Sequence, residues 1–169
     1  YRNKAKLNDD IYLTGNIGDS FLGLQILKNK IKVNKKLSNF FIKKYYYPEL
    51  QTKLTNHLQK YANSSIDISD GLINDLKKML NKQNLSFQLF ENKIPISKQL
   101  ASLIKSRKLQ KKNFISNGDD YQILFTADEK KARIIRNISK IERIKISKIG
   151  KIVSDKKSSV MFDEKGKQI

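Results

Sequence analysis

Ser64-Ser65-Ile66-Asp67-Ile68-Ser69-Asp70-Gly71-Leu72 runs from a strand through a loop into a helix within nine residues. Ile66 and Ile68 alternate with Asp67, so the two isoleucines face one side of a strand and Asp67 the other. Gly71 breaks the strand, and Leu72, Ile73, Leu76, Met79 and Leu80 then recur at helical spacing. A strand handing over to a helix is the unit of a sheet with helices packed on it. Its loop carries Asp67, Ser69 and Asp70 to the end of the strand, where open α/β sheets present ligand-binding groups.

The flanking sequence extends the pattern. Ile11 to Thr14 reads as a short strand ending at Gly15, and Gly18-Asp19-Ser20 leads into a helix with Asp19 or Ser20 as its cap. Residues 34–46 and 48–62 read as two further helices. Pro48 would lie in the first turn of the second, and Leu50, Leu54 and Leu58 would form its buried stripe. Leu85 to Phe90 alternates like a strand, and Ser97 caps a helix reaching about Arg107. Tyr121 to Thr126 is another strand, and Asp128 opens an amphipathic helix to about Lys140. Ile144 to Val153 and Ser159 to Phe162 read as two strands joined by a turn. The predicted fold class is α/β (α+β), a mixed β-sheet with helices packed on it, in a single domain over residues 1–169.

Thirty Lys and five Arg against 16 acids give a net charge of +19. Such an excess attracts polyanions nonspecifically. The bases run the whole length and Lys dominates over Arg, the better reader of phosphate forks. With 15 Asn and 22 Ile, a drift in composition explains the charge at least as well as a nucleic-acid surface does, and no specific nucleic-acid partner is expected. The absence of cysteine excludes disulfides and thiolate metal sites. No apolar run approaches the ~20 residues that span a bilayer, so the chain is expected to be cytoplasmic, without a membrane partner. Its first residues read as the middle of a longer protein.

Asn117-Gly118-Asp119-Asp120-Tyr121 is the second acidic string. Asn-Gly is a turn signal, and two adjacent carboxylates entering an apolar strand are easier to keep ionised beside a cation or a ligand donor. Two carboxylates at the 67–70 loop suit Mg²⁺, although Asp70 is equally a helix cap and Asp67 a solvated strand residue. The Gly15–Ser20 loop is either a phosphate cradle or a tight turn. It lacks the Lys-Ser/Thr ending of a P-loop and the third glycine of a dinucleotide fingerprint. His57, the only histidine, reads as a surface helix residue, and Tyr45-Tyr46-Tyr47 as a partly buried helix end. No general base or nucleophile stands out, so no catalytic residue is assigned.

Taken in order, these strings resemble the C-terminal half of the thiamine-monophosphate kinase family, within the group that contains aminoimidazole ribonucleotide synthetase, selenophosphate synthetase and a hydrogenase-maturation protein. The resemblance is carried by Arg2 with Ala5-Lys6, Asp10 to Gly15, Gly18-Asp19-Ser20, Gly23-Leu24, Ile66 to Leu72, Ile94-Pro95-Ile96, Gly118 to Thr126 and Ile149-Gly150. It implies Mg²⁺-dependent transfer of the γ-phosphoryl group of ATP to thiamine monophosphate. Asp67 and Asp70 would bind Mg²⁺, Arg2 and Ser69 would touch ATP, and Asp119, where the family usually has Glu, would face thiamine monophosphate. Gln122 replaces a further Glu. Tyr45 to Gln51 stands for a His-x-x-Pro-x-Pro-Arg string and ends in Gln51 where that string ends in Arg. The resemblance also implies a missing N-terminal domain, a homodimer for the complete enzyme, and an aromatic tail segment beyond Ile169, leaving the isolated piece inactive. The alternatives are a sister ATP-using enzyme of the same group, a degenerate domain without activity, and a non-catalytic basic nucleic-acid-binding domain.

Overall fold

The computed structural model describes residues 3–169. Over these residues the chain forms strands β1 (Asp10–Thr14), β2 (Ser64–Asp67), β3 (Leu85–Phe90), β4 (Ile123–Ala127), β5 (Ile146–Ser154) and β6 (Val160–Phe162). The helices are α1 (Asp19–Leu27), α2 (Lys35–Tyr46), α3 (Thr55–Tyr61), α4 (Leu72–Met79), α5 (Lys98–Arg107), α6 (Lys112–Ile115) and α7 (Ala132–Glu142). The strands make one sheet in the order β2-β4-β1-β5-β3-β6. Every neighbouring pair is antiparallel except β3 and β6, which are parallel. The expected mixed sheet with packed helices is therefore present.

Strand alternation sorts the core onto two faces. Ile11 and Leu13 of β1, Ile66 of β2 with Ile68 just beyond it, and Leu124 of β4 pack with Leu72, Leu76 and Met79 of α4. Those three helical side chains recur at i, i+4 and i+7 and are wholly buried; each contributes roughly 1.5–3 kcal/mol by leaving water. On the opposite face, Tyr12 stacks on Phe125 with ring centroids 5.2 Å apart. Leu54, Ile135 and Ile138 cover that pair. A third cluster, formed by Leu22, Phe41, Leu100, Leu103 and Phe114, gathers α1, α2, α5 and α6.

The structure corrects several expectations. Residues 48–62 do not make one helix. Pro48 to Gln51 is a non-helical link, followed by a 3₁₀ turn at Thr52–Leu54 and then α3. The link is held by the Glu49 carbonyl, which accepts from Gln51 Nε2 at 3.3 Å and Gln122 Nε2 at 3.2 Å. Leu50 is consequently out of phase with Leu54 and is 63% exposed, so it is no part of a buried stripe. The strand expected from Tyr121 begins at Ile123, because Asp119 and Tyr121 take φ of +67° and +51°, a left-handed backbone that no strand accommodates. The last two strands follow one another in sequence but do not pair, since β3 lies between them. Helix α6 was not anticipated. Tyr46 and Tyr47 are exposed at the end of α2. His57 is half-buried, with Nε2 2.9 Å from Glu142 Oε1, so it ties α3 to α7.

Candidate functional site

The two acidic strings, some fifty residues apart, form one surface. Strands β2 and β4 pair as far as Asp67 opposite Ile123, and the zipper continues past the strand ends. The Ile68 N–H donates to the Gln122 carbonyl at 2.8 Å, Tyr121 N–H to Ile68 at 2.9 Å, and Asp119 N–H to Ser69 at 3.1 Å. Such close backbone contact needs glycine at two positions. A Cβ on Gly118 would overlap the Ser69 carbonyl, and one on Gly71, where φ is +109°, would overlap that of Ser116. These glycines press the 67–71 loop onto the 117–121 loop.

The carboxylates of this surface divide by burial. Asp67 is exposed at the end of β2, on the side away from buried Ile66 and Ile68, as its alternation predicts. Asp70 is also exposed and forms an ion pair with Lys78. Ser69 and Asp119 are half-buried. The structure thus brings Asp67, Ser69, Asp70 and Asp119 onto neighbouring loops. Arg2 lies outside the described residues. Among the described residues, no three Asp, Glu, His or Cys side chains converge on a common point able to hold a metal ion.

Beneath the exposed carboxylates lie buried ones. Asp75, which sequence reasoning passed over, is fully buried. Its Oδ2 accepts the N–H groups of Ser69 at 2.9 Å, Asp70 at 2.8 Å and Gly71 at 3.1 Å. Asp70 is therefore not the cap of α4, which starts after Gly71 with no side-chain cap of its own. A signal for Asp75 did exist in the sequence: it shares the stripe of Leu72, Leu76 and Met79, where an acid is tolerated only with partners.

Asp120 plays the same part for α1. It is 4% exposed and accepts from Gly18 N–H at 2.7 Å and Ser20 N–H at 3.3 Å. The cap of α1 thus comes from a residue a hundred positions away, and Asp19 and Ser20 are simply the first helical residues. Two amides that could have cradled a phosphate in the Gly15–Ser20 loop are already given to a carboxylate of the protein. Burial, against the opposing pull of those hydrogen bonds, pushes the Asp120 carboxyl up to about 7. Asp19 is raised to about 6, again chiefly by burial, while its 2.6 Å hydrogen bond from Ser97 Oγ opposes the shift. Ser97 also caps α5 by accepting from Leu100 N–H, as expected.

Beside this anchor is an open cavity of about 460 Å³, whose lining includes Asp19, Lys44, Gln51, Asp120, Gln122 and Arg143. Gln122, buried, receives hydrogen bonds on Oε1 from Thr14 Oγ1 at 2.9 Å and Gln51 Nε2 at 3.3 Å. Asp67, Asp70 and Asp119 are not in that lining. The sheet end therefore presents an exposed acidic rim and, separately, a mixed-charge cavity.

Comparison with known proteins places this arrangement. The thiamine-monophosphate kinase of Buchnera aphidicola subsp. Acyrthosiphon pisum is 36% identical over 170 residues, covering 99% of this chain and 52% of that protein. The crystal structure of thiamine-monophosphate kinase from Stenotrophomonas maltophilia K279a shares the fold, with a TM-score of 0.84 at 22% identity over 99% of this chain and 53% of that one. AaThiL complexed with AMPPCP and TMP gives a TM-score of 0.80 at 25% identity, over 99% and 51%. The chain spans about half the length of the curated relatives it matches. Residues 8–163, which hold both acidic loops and all six strands, match the family model for AIR synthase related protein, C-terminal domain, and the chain belongs to that family.

Proposed function

We propose that this chain is the C-terminal part of a Mg²⁺-dependent thiamine-monophosphate kinase, which moves the γ-phosphoryl group of ATP onto thiamine monophosphate to give thiamine diphosphate. The observation that carries the reading is the pair of interlocked loops, which hold Asp67, Asp70 and Asp119 at one sheet end over a buried hydrogen-bonded base. Its support from relatives is the kinase that is 36% identical across nearly all of this chain, and AaThiL complexed with AMPPCP and TMP. Because the chain matches only about half of those proteins, the reading includes an N-terminal domain that completes the site.

The donor set fits Mg²⁺. Two exposed carboxylates at a strand end are hard oxygen donors, and this ion commonly takes one or two carboxylates and fills its remaining positions with water and phosphate oxygens. In this reading Asp67 and Asp70 hold it, and when bound it screens the charge between the two phosphate-bearing substrates. Ser69 gives its N–H to Asp75 and offers its hydroxyl to the nucleotide, with Arg2 as a second contact. Asp119 faces the acceptor, where a carboxylate suits the cationic thiazolium ring. The acceptor phosphate has a second pKa near ~6 and is largely dianionic at neutral pH, so it attacks without a general base. The chain's residues therefore orient and screen; none has to carry a proton.

The test is conversion of thiamine monophosphate to thiamine diphosphate with ATP and Mg²⁺, on the protein as encoded, including sequence flanking these residues. Product formation is expected. A folded protein that neither makes thiamine diphosphate nor turns over ATP would overturn the reading. ATP turnover with only a different acceptor would reassign the substrate.

A further inference from the structure

Lys78 is the part of this surface that the proposed chemistry leaves unused. Its ammonium pairs with Asp70 Oδ2 and lies 3.3 Å from Asp75 Oδ1. Asp75 and Lys78 are three residues apart on α4, hence neighbours on its surface. Asp75 thus holds the loop backbone from beneath with one oxygen and steadies Lys78 with the other. Lys78 in turn holds the Asp70 side chain. The Asp70 carboxylate thus stands on a loop held by Asp75 and faces an ammonium carried by helix α4.

The exposure of the pair decides what it can do. Asp70 is 55% and Lys78 45% exposed, so an ion arriving from solvent reaches Asp70 directly and finds it already paired. A pair in that setting contributes little and gives way to a divalent ion. A buried pair would be locked, and an unpaired Asp70 would sample several rotamers. We infer that Asp75 is a positioning residue for the divalent cation, fixing the loop that presents Asp70, and that Lys78 is the resident counter-charge that Asp70 exchanges for the metal. This rests on the reading of Asp67 and Asp70 as the metal-holding pair.

The test is Mn²⁺ binding, followed by electron paramagnetic resonance of the free ion, on the protein as encoded, with circular dichroism to check folding. Asp70→Asn is expected to weaken binding, which locates the ion. Lys78→Gln is expected to tighten it about fivefold, the equivalent of about 1 kcal/mol, which is what loss of a competing exposed pair can release. Lys78→Arg, which keeps the pair, should bind like the parent protein. Asp75→Asn should weaken binding while leaving most of the helix signal; should it fail to fold, the Lys78 variants still decide. Unchanged affinity in Lys78→Gln, with Asp70→Asn weakened, would overturn the exchange and leave the metal reading standing. Parent protein without Mn²⁺ binding, or unaffected by Asp70→Asn, would overturn both.

Discussion

Asp119 and Asp120 are adjacent in the chain and opposite in circumstance. Asp119 sits half-open on the rim, while Asp120 is buried against the first amides of α1. Asp70 and Asp75 repeat the contrast five residues apart, one exposed on the loop and the other wholly buried beneath it. Each motif therefore pairs a carboxylate on the rim with a buried one that accepts backbone amides, Asp75 those of the loop presenting Asp70 and Asp120 those at the start of α1. A motif's acids are not interchangeable: the buried member fastens backbone, and the exposed member stays open to solvent.

The contrast is broken most severely at Asp75. Asp75→Ala leaves three loop N–H groups without their acceptor and should destabilise the protein by about 3 kcal/mol or more. The urea midpoint measures this, compared with Asp70→Ala as the exposed counterpart. Equal losses at the two positions would abolish the distinction between anchor and rim.

Asp120 sharpens the comparison through pH. Its carboxyl is raised from 3.8 to about 7 in the folded protein, so the folded state holds that proton more tightly than the unfolded chain does. Its contribution is fully present below about pH 4 and is lost as pH rises through about 7. Asp120→Asn should remove that component, flattening the fall in thermal midpoint between pH 4 and 7 relative to the parent. The smaller slope from Asp19, raised to about 6, should remain. An identical pH profile in the variant would mean that Asp120 does not titrate there.

The two glutamines lining the cavity give a milder effect. The amides of Gln51 and Gln122 meet at 3.3 Å. Alanine variants of the two should be coupled by about 0.5–1 kcal/mol in a double-mutant cycle. Gln122→Glu alone should be destabilising, because a carboxylate would face the Glu49 carbonyl that now accepts from Gln122 Nε2. Adding Gln51→Arg should recover part of the loss. Strict additivity would mean that the contact carries no energy.

The sequence made the sheet legible because period-two and helical spacing report the same burial twice, in Ile66 and Ile68 and again in Leu72, Leu76 and Met79. It made the rim legible for the same reason, since Asp67 had to point away from two isoleucines. It misread the 48–62 segment because the Leu50, Leu54 and Leu58 spacing looks helical, and nothing local shows that Gln122 will fasten the Glu49 carbonyl. The cap of α1 was beyond local reading altogether: Asp120 is a hundred residues from the amides it satisfies. Asp19 and Ser20, the capping candidates by type, are already inside the helix. Long-range side-chain-to-backbone bonds leave no periodic trace, and they are what separates an anchoring acid from a presenting one.

Asp67 should respond least in stability and most specifically in function. It is exposed, so Asp67→Asn should change the unfolding free energy by no more than about 0.5 kcal/mol. The fold does not need its charge, whereas a bound divalent ion would. In the proposed kinase the variant should therefore need more Mg²⁺ for half-maximal rate, with the saturated rate less affected than the metal requirement. A Mg²⁺ titration at fixed ATP reads this directly, and the urea midpoint of the same preparation supplies the control. A stability loss as large as that of Asp75→Ala would make Asp67 another anchor. An unchanged Mg²⁺ requirement in a stable variant would take the metal away from Asp67 and leave the rim to be explained by substrate contacts alone.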